Sequence, residues 1–199
     1  MALDERLGRR ISDPKALRAL AHAGRYAILE HLQGRGPATA TECAEVAGLS
    51  PSACSYHLRL LARHGLVEPA EPDDDPDRER DGRERVWRAV SAGWQSDPDP
   101  SADPAEVQAI DSTLTRVMLA SSDAKVLAFV DRGASEPEWR DAALLSNSTI
   151  VATAEELAQI CEGLMAVLRP YLRSNRPPDE APEAACEVHV AIRTAPRLE

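Results

Sequence analysis

Aromatic side chains are scarce in this sequence, which holds three Trp, three Tyr and one Phe in 199 residues. Any core must therefore be built from aliphatic residues, and a 43% hydrophobic content is enough for one large or two small domains. No run of about 18 apolar residues occurs, so no membrane-spanning helix is expected. Residues 1–12 lack an apolar stretch beside Arg9-Arg10, so no export signal is read there and a cytoplasmic location is expected. Cys43, Cys54, Cys161 and Cys186 are scattered with no Cys-x-x-Cys pair, and no His pair has ligand spacing. Neither a metal site nor a cofactor is expected. No Ser/His/Asp or Cys/His arrangement and no phosphate loop stands out, so the chain is not read as an enzyme.

Basic surplus is missing as well. The formal net charge is −10. The deficit is uneven: residues 1–95 hold 14 Lys/Arg and 15 Asp/Glu, net −1, and residues 96–199 hold 9 and 18, net −9. Within the first half the acids concentrate in 71–81. A polyanionic partner would thus meet a small electrostatic footprint, and its binding would depend on a local surface.

Such a surface is written into Ala40–Leu66. Ala44 is small where two helices must cross, and Gly48 supplies the positive φ of a sharp turn. Leu49 plugs the corner, and Ser50-Pro51 is a helix start, with a capping hydroxyl before a proline at the first helical position. From there Cys54, Leu58 and Leu61 fall on one face at i, i+4 and i+7. The opposite face carries Ser52, Ser55, Tyr56, Arg59 and Arg63. Cys43 and Cys54 sit at apolar positions, where a thiol acts as a small hydrophobe. A redox role for Cys54 stays open, since its oxidation would disturb the helix.

The flanks extend the pattern. Asp13-Pro14 starts a helix over Lys15 to about His22. A second helix over Arg25–Gln33 turns Ile28, Leu29 and Leu32 inward and is closed by Gly34 and Gly36-Pro37. Leu66–Glu68 and Arg85–Val90 are strand-like around a polar stretch, 69–84. Three helices and a β-hairpin make a winged helix-turn-helix, with 51–63 as its recognition helix.

The runs DPKALRALAHAGRYAILEHL, TECAEVAGLSPSACSYHLRLLARHGLVE and RERVWRAV resemble the ArsR-type family of bacterial winged-helix repressors, over residues 11–95. The resemblance implies a homodimeric transcription regulator that places one recognition helix per half-site in successive major grooves of double-stranded DNA. The chain departs from the metal-sensing members. Its helix before the turn offers one thiolate, Cys43, where those place clustered thiolates or a C-terminal His and carboxylate set.

On that helix Ser50 and Ser52 stand at a phosphate-binding N-terminus. Ser55 and Tyr56 can bond phosphates or base edges, and Arg63 is read as a backbone contact. Arg59 fits guanine O6/N7 with two bonds, and a phosphate contact is the alternative. His57, at the edge of the apolar face, is read as packed and hydrogen-bonded. Among the hairpin arginines, Arg78 and Arg80 share the tip with Asp73, Asp74, Asp75 and Asp77. Arg83 and Arg85 at its base are therefore the better minor-groove candidates.

Ser96–Pro104 reads as a linker. Asp103 caps a helix whose face is Val107, Ile110, Leu114, Val117 and Met118, and Asp123–Arg132 is a further helical piece. Thr153 with Glu156 forms a capping box ahead of Leu157, Ile160, Leu164 and Leu168. These stripes are expected to dimerise, with an intramolecular bundle as the alternative. Leu145–Val151 and Glu187–Arg193 read as strands, with Val188, Val190 and Ile192 on one face. Trp139 and Tyr171 are read as core residues or as lining an effector pocket.

The expected fold is mainly α with small β elements. It comprises a winged helix-turn-helix at 1–95, a linker at 96–104, a helical α+β dimerisation or effector region at 105–173, and a tail at 174–199 with a strand at 187–193. The expected function is a dimeric repressor on an inverted-repeat operator, open to a small-molecule effector. A protein–protein module on the winged helix, or a ligand sensor centred on the second half, is the alternative.

Overall fold

A computed structural model describes residues 8–70, 85–132, 137–172, 175–176 and 180–197. Its elements are set by local caps. Strand β1 (Arg9–Ile11) leads to α1 (Pro14–Leu20), where the Asp13 carboxylate accepts the Lys15 N–H at 2.9 Å and Pro14 opens the first turn. Helix α2 (Ala23–Arg35) is capped by a residue absent from the usual capping set: Nδ1 of His22 accepts the Gly24 N–H at 3.1 Å. Strand β2 (Ala38–Thr39) runs into α3 (Ala40–Ala47) through a capping box between Thr39 and Glu42. Helix α4 (Pro51–Arg63) starts where Ser50 Oγ accepts the Ala53 N–H at 3.2 Å.

Strands β3 (Val67–Pro69) and β4 (Val86–Ala89) pair antiparallel, with Val67 opposite Ala89 and Pro69 opposite Trp87. β4 also pairs with β2, Ala38 opposite Trp87, so the hairpin read from sequence belongs to a three-stranded sheet of order β2-β4-β3. β5 (Trp94–Ser96) lies parallel to β1. Both additions join segments far apart in the chain, a pairing that local patterning does not reveal.

One core unites these elements. Leu17, Leu20, Ile28, Leu29, Cys43, Cys54, Leu58, Leu61 and Val67 are essentially excluded from solvent, and Trp87 of β4 closes over them. Leu49 plugs the corner as expected. A methyl group on Gly24 would come within 2.8 Å of Leu49 Cδ1, so the end of the Leu49 side chain would have to shift to admit it.

Helix α5 (Pro104–Arg132) is one continuous helix where the sequence suggested two pieces. The Ala120-Ser121-Ser122 stretch contains neither Pro nor Gly, so nothing breaks the backbone ladder. Asp103 caps it as read, its carboxylate accepting the Ala105 N–H at 3.0 Å. The first compact unit, Met1–Ser121, extends beyond the expected linker at 96–104, because Ile110 and Leu114 of α5 are buried in the core just described. Those two residues were expected at a dimer interface. Their own chain covers them instead, leaving 5% and 3% of their surface exposed.

The second unit, Ser122–Glu199, holds the rest of α5, α6 (Pro137–Ala142), α7 (Ala154–Leu168) and a 3₁₀ turn (Arg169–Tyr171). The capping box of α7 forms as read, with the Glu156 N–H donating to Thr153 Oγ1 at 3.1 Å. No residue of α7 is buried. Neither 145–151 nor 187–193 is a strand, because neither finds a hydrogen-bonding partner strand among the described residues. Tyr171, read as core or pocket, is 67% exposed, and the Arg176 guanidinium lies over its ring.

Candidate nucleic-acid interface

Helices α3 and α4 meet through the turn at Gly48, whose φ of 63° and ψ of 37° are left-handed. The N–H groups of Gly48 and Leu49 both donate to the Ala44 carbonyl, closing the α3 end. Cys54, Leu58 and Leu61 bury the inner face of α4 completely. Register then dictates what looks outward: Ser52, Tyr56, Arg59 and Arg63 are exposed, and Ser55 is half-buried at the margin. Tyr56, Arg59 and Arg63 line one shallow groove. Ser50 is exposed as well, but its hydroxyl oxygen already accepts the Ala53 N–H.

Of the hairpin arginines read from the sequence, the described residues include Arg85. Arg85 is exposed, with its guanidinium 5.6 Å from the centroid of the Trp87 ring. Arg83, Arg78, Arg80 and the neighbouring aspartates lie outside the described residues. Arg88 crosses the hairpin to Glu68 at 2.6 Å, a rung that neutralises a cation near the sheet.

Two contacts behind α4 had no sequence signal beyond residue type. The first is between thiols. Cys43 and Cys54 are both free, and a hydrogen bond from the Cys43 thiol lowers the Cys54 pKa, outweighing the burial that raises it. The second involves His57, which is packed as read but whose Nδ1 is buried with no hydrogen-bond partner among the described residues. Its ring lies against His22, and Tyr56 meets it edge-on. Nearby Arg25 donates through Nε to the Ala19 carbonyl.

An exposed polar and cationic helix face, set by a left-handed turn onto a second helix, is the geometry of a nucleic-acid reader. Residues 20–70 match the family model of a helix-turn-helix domain. The match runs from the end of α1 through α2, α3 and α4 into the first strand of the hairpin. In such domains the second helix of the motif enters the DNA major groove, and here that helix is α4. A comparison with curated proteins gave no match. No group of three or more His, Cys, Asp or Glu able to hold a metal occurs among the described residues. No helix among them is long and apolar enough to cross a membrane.

Proposed function

We propose that this chain is a winged-helix transcription regulator of the ArsR type that binds double-stranded DNA as a homodimer and represses the genes it marks. One observation carries the proposal. The three large or cationic outward positions of α4, Tyr56, Arg59 and Arg63, are exposed to solvent, while Cys54, Leu58 and Leu61 anchor the helix in the core. Arg59 reads a guanine edge, and Arg63, Ser52 and Ser55 hold phosphates. Tyr56 contacts the backbone or a base edge. The N-terminal end at Ser50 adds the positive end of the helix dipole. Arg85, with Arg83 beyond the described strand, reaches the minor groove from the hairpin.

Two copies related by a two-fold axis would present their α4 helices to half-sites about 34–36 Å apart, so the operator is an inverted repeat. Ile110 and Leu114 no longer serve this pairing. Val107, Val117, Leu157, Ile160, Leu164 and Leu168 remain candidates for it. A small-molecule effector bound by the C-terminal half would act by shifting the spacing of the two helices.

The experiment is retention of genomic fragments by the purified chain at low salt, followed by footprinting. The expected result is a protected inverted repeat with half-sites one helical turn apart. Failure of the wild-type chain to retain any fragment would replace DNA by a protein partner for this winged helix.

A further inference from the structure

The segment 187–193 reads Glu-Val-His-Val-Ala-Ile-Arg, and its two faces behave differently. The odd-numbered face is held by its own unit: His189 Nε2 lies 2.9 Å from Ser122 Oγ, and Arg193 Nη2 donates to Asp123 Oδ1 at 2.8 Å. The whole segment is exposed, and its even-numbered positions are the apolar ones, with Val188, Val190 and Ile192 exposed at 62%, 53% and 41%. Alternating β-branched residues favour a strand, yet no strand among the described residues pairs with this one.

We infer that 187–193 is the docking strand for a second copy of this chain, forming an antiparallel two-stranded ribbon with its own counterpart about a two-fold axis at Val190. This rests on the homodimer proposed above and adds a strand surface to the helical positions that are candidates for its interface. The support is charge and size register. Antiparallel pairing centred on Val190 sets Glu187 opposite Arg193 of the second copy, at both ends of the ribbon. It also sets Val188 opposite Ile192 and Val190 opposite itself. Opposite charges and matched apolar pairs directly across a ladder are the stabilising combinations. Shifting the register by one residue would move each strand's apolar set to the wrong face. Arg193 need not leave Asp123, since a guanidinium carries donors enough for two carboxylates. The interface is isologous, so it closes at two copies.

The test uses the full chain in three preparations: wild type, Glu187→Arg and Arg193→Glu. Each variant alone places like charges at both ends of the ribbon. Self-association by sedimentation equilibrium should then weaken about tenfold against wild type. An equimolar mixture of the two variants should recover wild-type association, because each chain then meets its complement at both ends. That recovery also excludes misfolding as the cause, since each variant chain keeps its own substitution in the mixture. Single variants that dimerise like wild type would overturn the strand interface and leave the homodimer standing. A mixture no tighter than either variant would overturn the register. A wild-type chain that stays monomeric would overturn both proposals.

Discussion

The imidazole of His57 on α4 packs against that of His22, the residue capping α2, with ring centroids 4.9 Å apart. The helix proposed to read DNA is thereby joined to a cap that is itself an ionisable group. Burial, and then the nearby charges of His22 and Arg25, lower the His57 pKa from its ordinary value. Burial, and then Arg25, lower that of His22. Both rings are therefore harder to protonate in the native state than in the unfolded chain.

With folded values below the unfolded value of about 6.5, this stability is fully present above that pH. Below it the unfolded chain takes up protons that the native state resists, so stability falls as the pH drops. Melting curves from pH 5.5 to 7.5 should show the loss on the acid side. His57→Phe, which keeps a ring and removes the charge, should flatten the slope. An unchanged slope in that variant would assign the acid sensitivity to other groups.

Helices were legible in the sequence wherever their ends are written in neighbouring residues. Asp13-Pro14, Gly48, Ser50-Pro51, Asp103-Pro104 and the Thr153/Glu156 box all act over one turn. The outward face of α4 was legible for the same reason, since helical spacing alone separates Arg59 from Leu58. Strands were another matter. β2 exists because Trp87 lies opposite Ala38, and β1 because Trp94 lies beside Arg9. The opposite error came at 187–193, where alternation suited a strand but no partner strand occurs among the described residues. The stripe of α5 was seen correctly as apolar. Its destination, the core of the first unit for Ile110 and Leu114, depends on packing that no spacing rule contains.

With Ile110 and Leu114 enclosed by the first unit, Ile110→Ala should cost about 2–5 kcal/mol of stability through the cavity it leaves. Self-association of the folded variant should be unchanged, because the side chain meets no second copy. Chemical denaturation would measure the first and sedimentation the second. A stable variant that dissociates would return Ile110 to a dimer interface.

Gly48 is required by its backbone and not by its surroundings. Among the described residues no neighbouring atom lies within 4 Å of a Cβ built there, yet its φ is +63°. Gly48→Ala should therefore destabilise by about 1–2 kcal/mol, the penalty of an L-residue in the left-handed region. Gly48→Asn should lose less, since asparagine enters that region more readily. Equal losses for the two in urea denaturation would mean that crowding, and not φ, sets the requirement.

Arg59 and Arg63 lie one turn apart on the same exposed face, and binding to a cognate site should separate their roles. A guanidinium bidentate to guanine discriminates between bases by about 1–3 kcal/mol, whereas one on a phosphate adds affinity without sequence preference. Arg59→Ala should thus narrow the gap between operator and scrambled DNA. Arg63→Ala should weaken both equally and reduce the slope of log K against log salt by about 0.9, one phosphate's worth. Fluorescence anisotropy with both duplexes over a salt series measures both effects. If Arg59→Ala weakens operator and scrambled DNA alike, that arginine sits on a phosphate. The base reading must then fall to Ser52, Ser55 or Tyr56, the remaining outward polar groups of α4.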